Sequence, residues 1–397
     1  MTRPFRRRVF YVPGFDPMPP RRYRELYRRE SRRQAQVGGF DLTVEKPAGG
    51  AAFGWQTRAC FPEGMAQAQV EVLVWSDLVQ ASMQGGILAT YARMLRTAWI
   101  YIASGALRRL MRLRRGPVLA ALYPVAVLVL QLLAAVLLAM LAGWGATALT
   151  GLEWLGMGAA LATGWWVLVL ARSQDHRLFA HYLMQDYAFT AGLHGAYPPQ
   201  LEQRLAQFAD RIAQALAEDL DEVLVVGHSS GAYLAVSVLA DMIRRGGPAS
   251  DRPALALLTL GQVVPMASFL PRAHRLRADL AFLSERPDLF WLDVTAPGDP
   301  CSFALCDPVA VSGVARPGQR WPLVLSAAFT QTLSPRLQRD LRWRWFRLHL
   351  QYLCAFDRPG DYDYFAITAG PRRLADRFAG RHPSPGRIAI PAGPGLP

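Results

Sequence analysis

Leu224-Val225-Val226-Gly227-His228-Ser229-Ser230-Gly231-Ala232-Tyr233-Leu234-Ala235 sets a serine between two glycines where one hydrophobic pattern changes into another. Val223–Val226 has the length of a buried strand, and Leu234, Val238 and Met242 recur at helical spacing after the turn, so Ser229 sits where a strand gives way to a helix. Gly227 and Gly231 lie two residues to either side, as a tight turn demands when neighbouring backbone comes too close for a side chain. The hydroxyl of such a serine is exposed above the sheet. It is a poor nucleophile at neutral pH, so it needs a base, and the base needs an acid to hold it in one tautomer. The chemistry to look for is acyl transfer.

Gly227-His228-Ser229-Ser230-Gly231, between strand and helix, resembles the G-x-S-x-G nucleophile elbow of the α/β-hydrolases, the lipase and esterase superfamily. The resemblance implies an α/β fold with a mostly parallel sheet flanked by helices, Ser229 as nucleophile, no metal or organic cofactor, and the chain order Ser, then Asp or Glu, then His. In that order Asp299, in the loop Thr295-Ala296-Pro297-Gly298-Asp299-Pro300 after the strand Phe290–Val294, is the expected acid. Asp307, in Cys306-Asp307-Pro308, is the alternative, and Asp293 lies within the strand. Of the histidines after Ser229, His274 precedes both acids and His382 borders the C-terminal segment. His349, in His349-Leu350-Gln351-Tyr352, is similar to the H-x-x-Y setting of the family's general base. The family's oxyanion donors would be the backbone N–H groups of Ser230 and of Phe15, in the loop Val12-Pro13-Gly14-Phe15-Asp16-Pro17. Val9–Val12 then matches the family's third strand, and the extra leading strands at the sheet edge are expected to be missing.

The elements that must position these residues follow from hydrophobic periodicity. Val9–Val12, Val70–Trp75, Val223–Val226, Ala254–Leu260 and Phe290–Val294 read as buried strands, with extended pieces at Phe40–Val44 and Trp55–Phe61. Leu201, Leu205, Phe208, Ile212 and Leu216 make Gln200–Glu218 an amphipathic helix, and Arg21–Arg33 carries a narrow stripe of Tyr23, Leu26 and Tyr27. Strands alternating with helices argue for a mostly parallel sheet. Thr97–Leu107, flanked by arginines, suits a helix lying in a membrane interface.

Val118–Gly143 holds 26 residues with no charge and only Gln131 strongly polar; at about 1.5 Å per residue this exceeds the roughly 30 Å hydrocarbon core of a bilayer. Trp154–Ala171 is a second apolar run of 18 residues, and Gly156, Ala160 and Gly164 place small residues four apart, which permits close helix packing. Together they predict an inserted two-helix transmembrane hairpin. Arginines precede the first run and follow the second at Arg172 and Arg177, whereas the connection Trp144–Leu152 is uncharged; by the positive-inside rule the ends, and the catalytic domain with them, face the cytoplasm. The expected division is 1–80 for the first part of the hydrolase domain, 81–197 for the membrane-associated insertion with spans near 118–143 and 154–171, 198–380 for the second part, and 381–397 for a disordered, Pro- and Gly-rich tail.

A net charge of +14 raises nucleic acid as a partner, but Lys46 is the sole lysine against an arginine-rich background, and the chain has no zinc finger, RNA-binding signature or basic stripe away from the membrane-proximal segments. Cys60, Cys301, Cys306 and Cys354 are scattered, without a disulfide framework or zinc spacing. His176, His181 and His194 lack a metal-ligand pattern. The expected partners are the bilayer and an acyl ester or thioester, a lipid or another acyl substrate. An acyltransferase using the same residues, or a non-catalytic membrane-bound platform with the same fold, are the alternatives.

Overall fold

The computed structural model describes residues 3–46, 53–247 and 253–393. Its centre is an eight-stranded sheet in the order β2-β3-β4-β1-β5-β6-β7-β8. In chain order these are β1 (Phe5–Val12), β2 (Asp41–Glu45), β3 (Gly54–Phe61), β4 (Gly64–Val72), β5 (Glu222–His228), β6 (Ala254–Leu260), β7 (Leu289–Thr295) and β8 (Leu323–Ser326). Every neighbouring pair from β4 to β8 is parallel, and only the β2–β3 and β3–β4 pairs are antiparallel. The protein is therefore α/β with a mostly parallel sheet. The edge expected to lack strands is filled, since β2 and β3 continue the sheet beyond β4 although they follow β1 in the chain.

The central strands are buried on both faces, which is why they read as unbroken apolar runs. Alternate residues serve two different cores. Phe10, Val12, Val223, Val225 and Leu257 pack with Leu205, Ile212, Leu234 and Val238 on one side. Val9, Tyr11, Leu224, Val226 and Leu258 pack with Tyr27, Tyr352 and Phe365 on the other. The helices before the second half of the sheet are α1 (Arg21–Gly38), α2 (Ser76–Ser82), α3 (Ile87–Ala103), α4 (Ala106–Leu113), α5 (Arg115–Thr150), α6 (Glu153–Ser173), α7 (Asp175–Leu178), α8 (Ala180–Ala191) and α9 (Pro199–Ala215); α10 (Ser230–Arg244) follows β5. The expected stripe of α9 is buried at Leu201, Leu205, Phe208 and Ile212.

Everything from α2 to α8 is inserted between β4 and the α9–β5 unit. The single interfacial helix expected at Thr97–Leu107 is two helices, α3 and α4, broken at Ser104-Gly105, where Gly105 takes φ 69°. Ile100, Tyr101, Leu110 and Leu113 of this pair pack on Phe269 and Phe303 of the body. Helices α5 and α6 are long and apolar enough to cross a membrane, and only 11% and 6% of their most apolar windows is buried, so their apolar surface faces outward. The connection is far shorter than Trp144–Leu152: α5 runs to Thr150 and ends on left-handed Gly151. The two helices meet through small residues. A Cβ on Gly143 would lie 3.0 Å from Gly156 O and 3.1 Å from Ala160 Cβ, and one on Gly164 would lie 3.3 Å from Ala139 Cβ.

Beyond residue 381 the tail expected to be disordered is held in place as far as it is described. Ser384 N donates to Val324 O (2.9 Å), Ile388 N to Leu305 O (2.8 Å), and Asp307 N to Ile388 O (2.9 Å). Pro and Gly rule out a helix there, but they leave enough backbone donors and acceptors to pair with a neighbouring loop. Residues 394–397 lie outside the described residues.

Candidate functional site

Ser229 ends β5 and starts α10 with φ 58° and ψ −123°, a conformation that costs a non-glycine residue about 1–3 kcal/mol. The surroundings enforce it. A Cβ on Gly227 would stand 2.6 Å from Gly231 O, and one on Gly231 would stand 2.1 Å from Val12 O, so neither glycine can be replaced without moving backbone. On the opposite side Ser229 N donates to Leu260 O at 2.9 Å. The serine is thus pinned at the carboxyl ends of β1, β5 and β6, where open parallel sheets leave their crevice.

The residue after Leu260 carries the link to the histidine. Gly261, at φ 52°, would place a Cβ 3.0 Å from His349 Cε1 and 2.7 Å from Tyr352 Cε2, so the imidazole lies directly over a glycine that only a bare backbone can supply. His349 Nδ1 donates to Asp299 Oδ2 at 2.8 Å. Tyr352 OH donates to the same oxygen at 3.0 Å, and Asp299 Oδ1 accepts from Cys301 N at 2.9 Å. Burial alone would raise the Asp299 carboxyl, but the His349 imidazole and these hydrogen bonds hold it below the ordinary aspartate value. With Nδ1 committed to Asp299, the basic lone pair of the neutral ring is on Nε2. Ser229 and His349 line one cavity.

His228 sits behind the pair. Its Nε2–H donates to His349 O at 3.0 Å, and the two rings pack with centroids 4.8 Å apart. Burial, with His349 next to it, pushes the His228 imidazole down to about 3, so it is neutral and serves as a fixed donor to the backbone that carries His349.

Asp307 and Phe15 are both engaged by other partners. Asp307 is buried away from His349: its carboxylate accepts from Val309 N and Ala310 N (3.0 and 3.2 Å), from Gln319 Nε2 (3.0 Å) and from Arg387 (2.6 Å). It caps the helical turn Pro308–Val311 and ties down the C-terminal segment. Phe15 does lie beside Ser230, but its N–H is spent on Ser230 Oγ at 2.8 Å, while its carbonyl accepts from Tyr182 OH. An incoming oxygen would have to take that N–H from the Ser230 hydroxyl. The Ser230 N–H is in the first turn of α10, where helix geometry leaves donors without an intrahelical partner.

The cavity has a volume of about 540 Å³. One wall is the loop Gly14–Met18 and the start of α10; another is Pro117, Ala120, Ala121 and Tyr123 from the first turns of α5. Tyr123 meets Trp345 edge-on with centroids 5.8 Å apart, and Phe179 meets Phe346 at 5.2 Å, so aromatic pairs join the base of α5 and the α7–α8 turn to the segment that carries His349. The contribution of α5, Gly261 and Asp186 was not read from the sequence. Asp186 left one signal, being the only acid between Asp175 and Glu202.

Asp299, Cys301 and His349 bring ligand-type atoms within 4.8 Å of one another. His349 Nδ1 and Asp299 are already hydrogen-bonded, and burial pushes the Cys301 thiol well up, away from the thiolate a metal requires. A metal there would have to break the bond that orients the imidazole.

The chain matches no protein-family model, no curated protein and no solved structure. Its chemistry has to be read from this geometry.

Proposed function

We propose that the chain is a membrane-anchored serine hydrolase of the α/β-hydrolase type, cleaving a carboxylic ester or thioester of an amphiphilic acyl substrate. The observation that carries this reading is the 2.8 Å bond from His349 Nδ1 to Asp299, in one cavity with a serine held at positive φ on a strand-to-helix turn. The chain order Ser229, Asp299, His349, with the acid after β7 and the histidine after β8, agrees with that family.

In this reading His349 Nε2 takes the Ser229 proton as Oγ attacks the carbonyl carbon, and Asp299 stabilises the imidazolium that forms. The oxyanion is met by the Ser230 N–H and by the Phe15 N–H once the Ser230 hydroxyl has turned away. Collapse expels the alcohol or thiol, which leaves with the proton from His349. Water, deprotonated by His349, then attacks the acyl-serine, releasing the acid and restoring Ser229.

The test is labelling of membranes with a fluorophosphonate probe, together with ester turnover. Wild type is labelled, whereas Ser229→Ala is not, and His349→Ala loses turnover on the order of 10⁶-fold. Label that survives Ser229→Ala rejects the nucleophile; a folded wild type that takes no label favours the platform reading. Helices α5 and α6 are the anchor, with Arg115, Arg172 and Arg177 on the cytoplasmic side. Protease applied from that side and cutting at Gly151-Leu152 would reverse the orientation.

A further inference from the structure

The reaction above leaves one acid in the cavity without an assignment. Asp16, Asp175 and Asp186 all line it. Asp16 is satisfied by Met18 N (2.9 Å) and Tyr23 OH (2.6 Å), and Asp175 by His181 N (2.8 Å) and Tyr182 N (3.1 Å). Asp186, on α8, has no hydrogen bond or ion pair among the described residues. Nearby phenols do not complete it: Tyr182 donates to Phe15 O, and the Tyr233 hydroxyl is engaged by Thr190 and Ser230. Asp186 is half-buried, and a carboxyl group left unpaired against a mostly apolar, half-open cavity loses part of its hydration; groups of this kind concentrate where a ligand supplies the missing partner.

We propose that Asp186 is the specificity-determining residue of the cavity: its carboxyl group takes a hydrogen-bond donor, a hydroxyl or a protonated amine, on the alcohol half of the ester. The proposal rests on the serine-hydrolase reading of Ser229 and His349. The division of the substrate follows from the walls. Pro117, Ala120 and Ala121 offer an acyl chain only apolar contact on the α5 wall, so the polar head belongs with the unpaired carboxyl group of Asp186. Burial pushes the Asp186 carboxyl up to about 7, with His349 opposing the rise. Near neutral pH either protonation state can therefore meet a hydroxyl, and the ionised state meets a cation.

The experiment uses the full chain in detergent and three dodecanoyl esters, of methanol, glycerol and 2-(dimethylamino)ethanol, the last protonated at pH 7. The readout is kcat/KM for each donor-bearing ester relative to the methyl ester. Wild type is expected to favour at least one donor ester by about 10- to 100-fold, and Asp186→Leu to bring that ratio to about one. Asp186→Asn separates the two sources: a preference kept in Asn identifies a hydroxyl, and a preference lost in Asn identifies the amine. A wild type without preference, or a preference that survives Asp186→Leu, overturns the proposal. Fluorophosphonate labelling of each protein is the separate control. An unlabelled wild type sinks the hydrolase reading itself, whereas a labelled wild type with both variants unlabelled overturns the specificity role and assigns Asp186 to maintaining the nucleophile.

Discussion

Asp293 and Asp299 are both buried, one in β7 and one just beyond it, and their partners drive them apart. Asp293 accepts from Thr259 Oγ1 at 2.6 Å, and burial raises its carboxyl to about 8; Asp299 faces His349 and is held low. The sequence separates the two only by place, Asp293 within the strand and Asp299 in the loop after it; their partners, Thr259 and His349, arrive from other elements. The Asp293 assignment has a measurable consequence. The folded chain keeps this proton up to about pH 8, while the unfolded chain releases it near 3.8. The unfolded state then binds fewer protons, and stability falls as pH rises across that window. His228 works in the other sense, neutral when folded down to about 3 against 6.5 unfolded, so it affects stability only below about 6.5. Asp186, at about 7, adds to the Asp293 slope. Asp293→Asn keeps the acceptor for Thr259 and removes the proton, so the loss of thermal midpoint from pH 6.5 to 8 in detergent should shrink relative to wild type. Parallel slopes would refute the raised carboxyl.

At the scale of elements, what the sequence made legible is what hydrophobic contrast encodes. β5, β6 and β7 are apolar because both faces are buried, and α9 is striped because one face is. The failures have equally definite causes. The first half of β1 contains Arg6, Arg7 and Arg8, yet Arg7 is buried with Glu222 at 2.6 Å and also donates to Gly370 O at 2.7 Å. A buried ion pair is invisible to a hydropathy pattern, and removing one partner would cost about 3–5 kcal/mol. β8 has only four residues, too few for a period to emerge. α5 outlasts its apolar run because Trp144–Thr150 has no proline and its single glycine, Gly145, does not end the helix before Gly151. The uncharged run Val118–Gly143 was the clearest signal in the hairpin; the small residues four apart in α6 predicted close packing, and that can be tested by contrast. A Cβ on Gly156 would fall 1.9 Å from Thr147 Oγ1 and 2.8 Å from Gly143 O, whereas one on Gly158 meets nothing within 4 Å. Gly156→Val should therefore destabilise the protein in detergent by about 1–3 kcal/mol, with Gly158→Val close to wild type. Equal midpoints for the two variants would mean that the helices do not pack through this face.

At the scale of the whole molecule, the apolar hairpin and the cavity are not separate modules, since the first turns of α5 are both the root of a membrane-length helix and a wall of the space that holds Ser229 and His349. The hairpin was legible from composition, but its place beside the site was not, because that depends on how the insertion folds back onto the loops at the carboxyl ends of the strands. If an acyl chain extends from Ser229 along the α5 wall of the cavity, it runs past Ala120 and Ala121. Ala121→Trp fills that passage with a bulky ring while leaving the sheet, the Ser229 turn and the Asp299–His349 bond untouched. In the full-length protein, kcat/KM for a dodecanoyl ester divided by that for the acetyl ester of the same alcohol should fall about tenfold or more. An unchanged ratio would place the acyl chain elsewhere and leave α5 as an anchor alone. A fall by the same factor for both esters would mean that the indole disturbs the reacting groups and does not gate chain length.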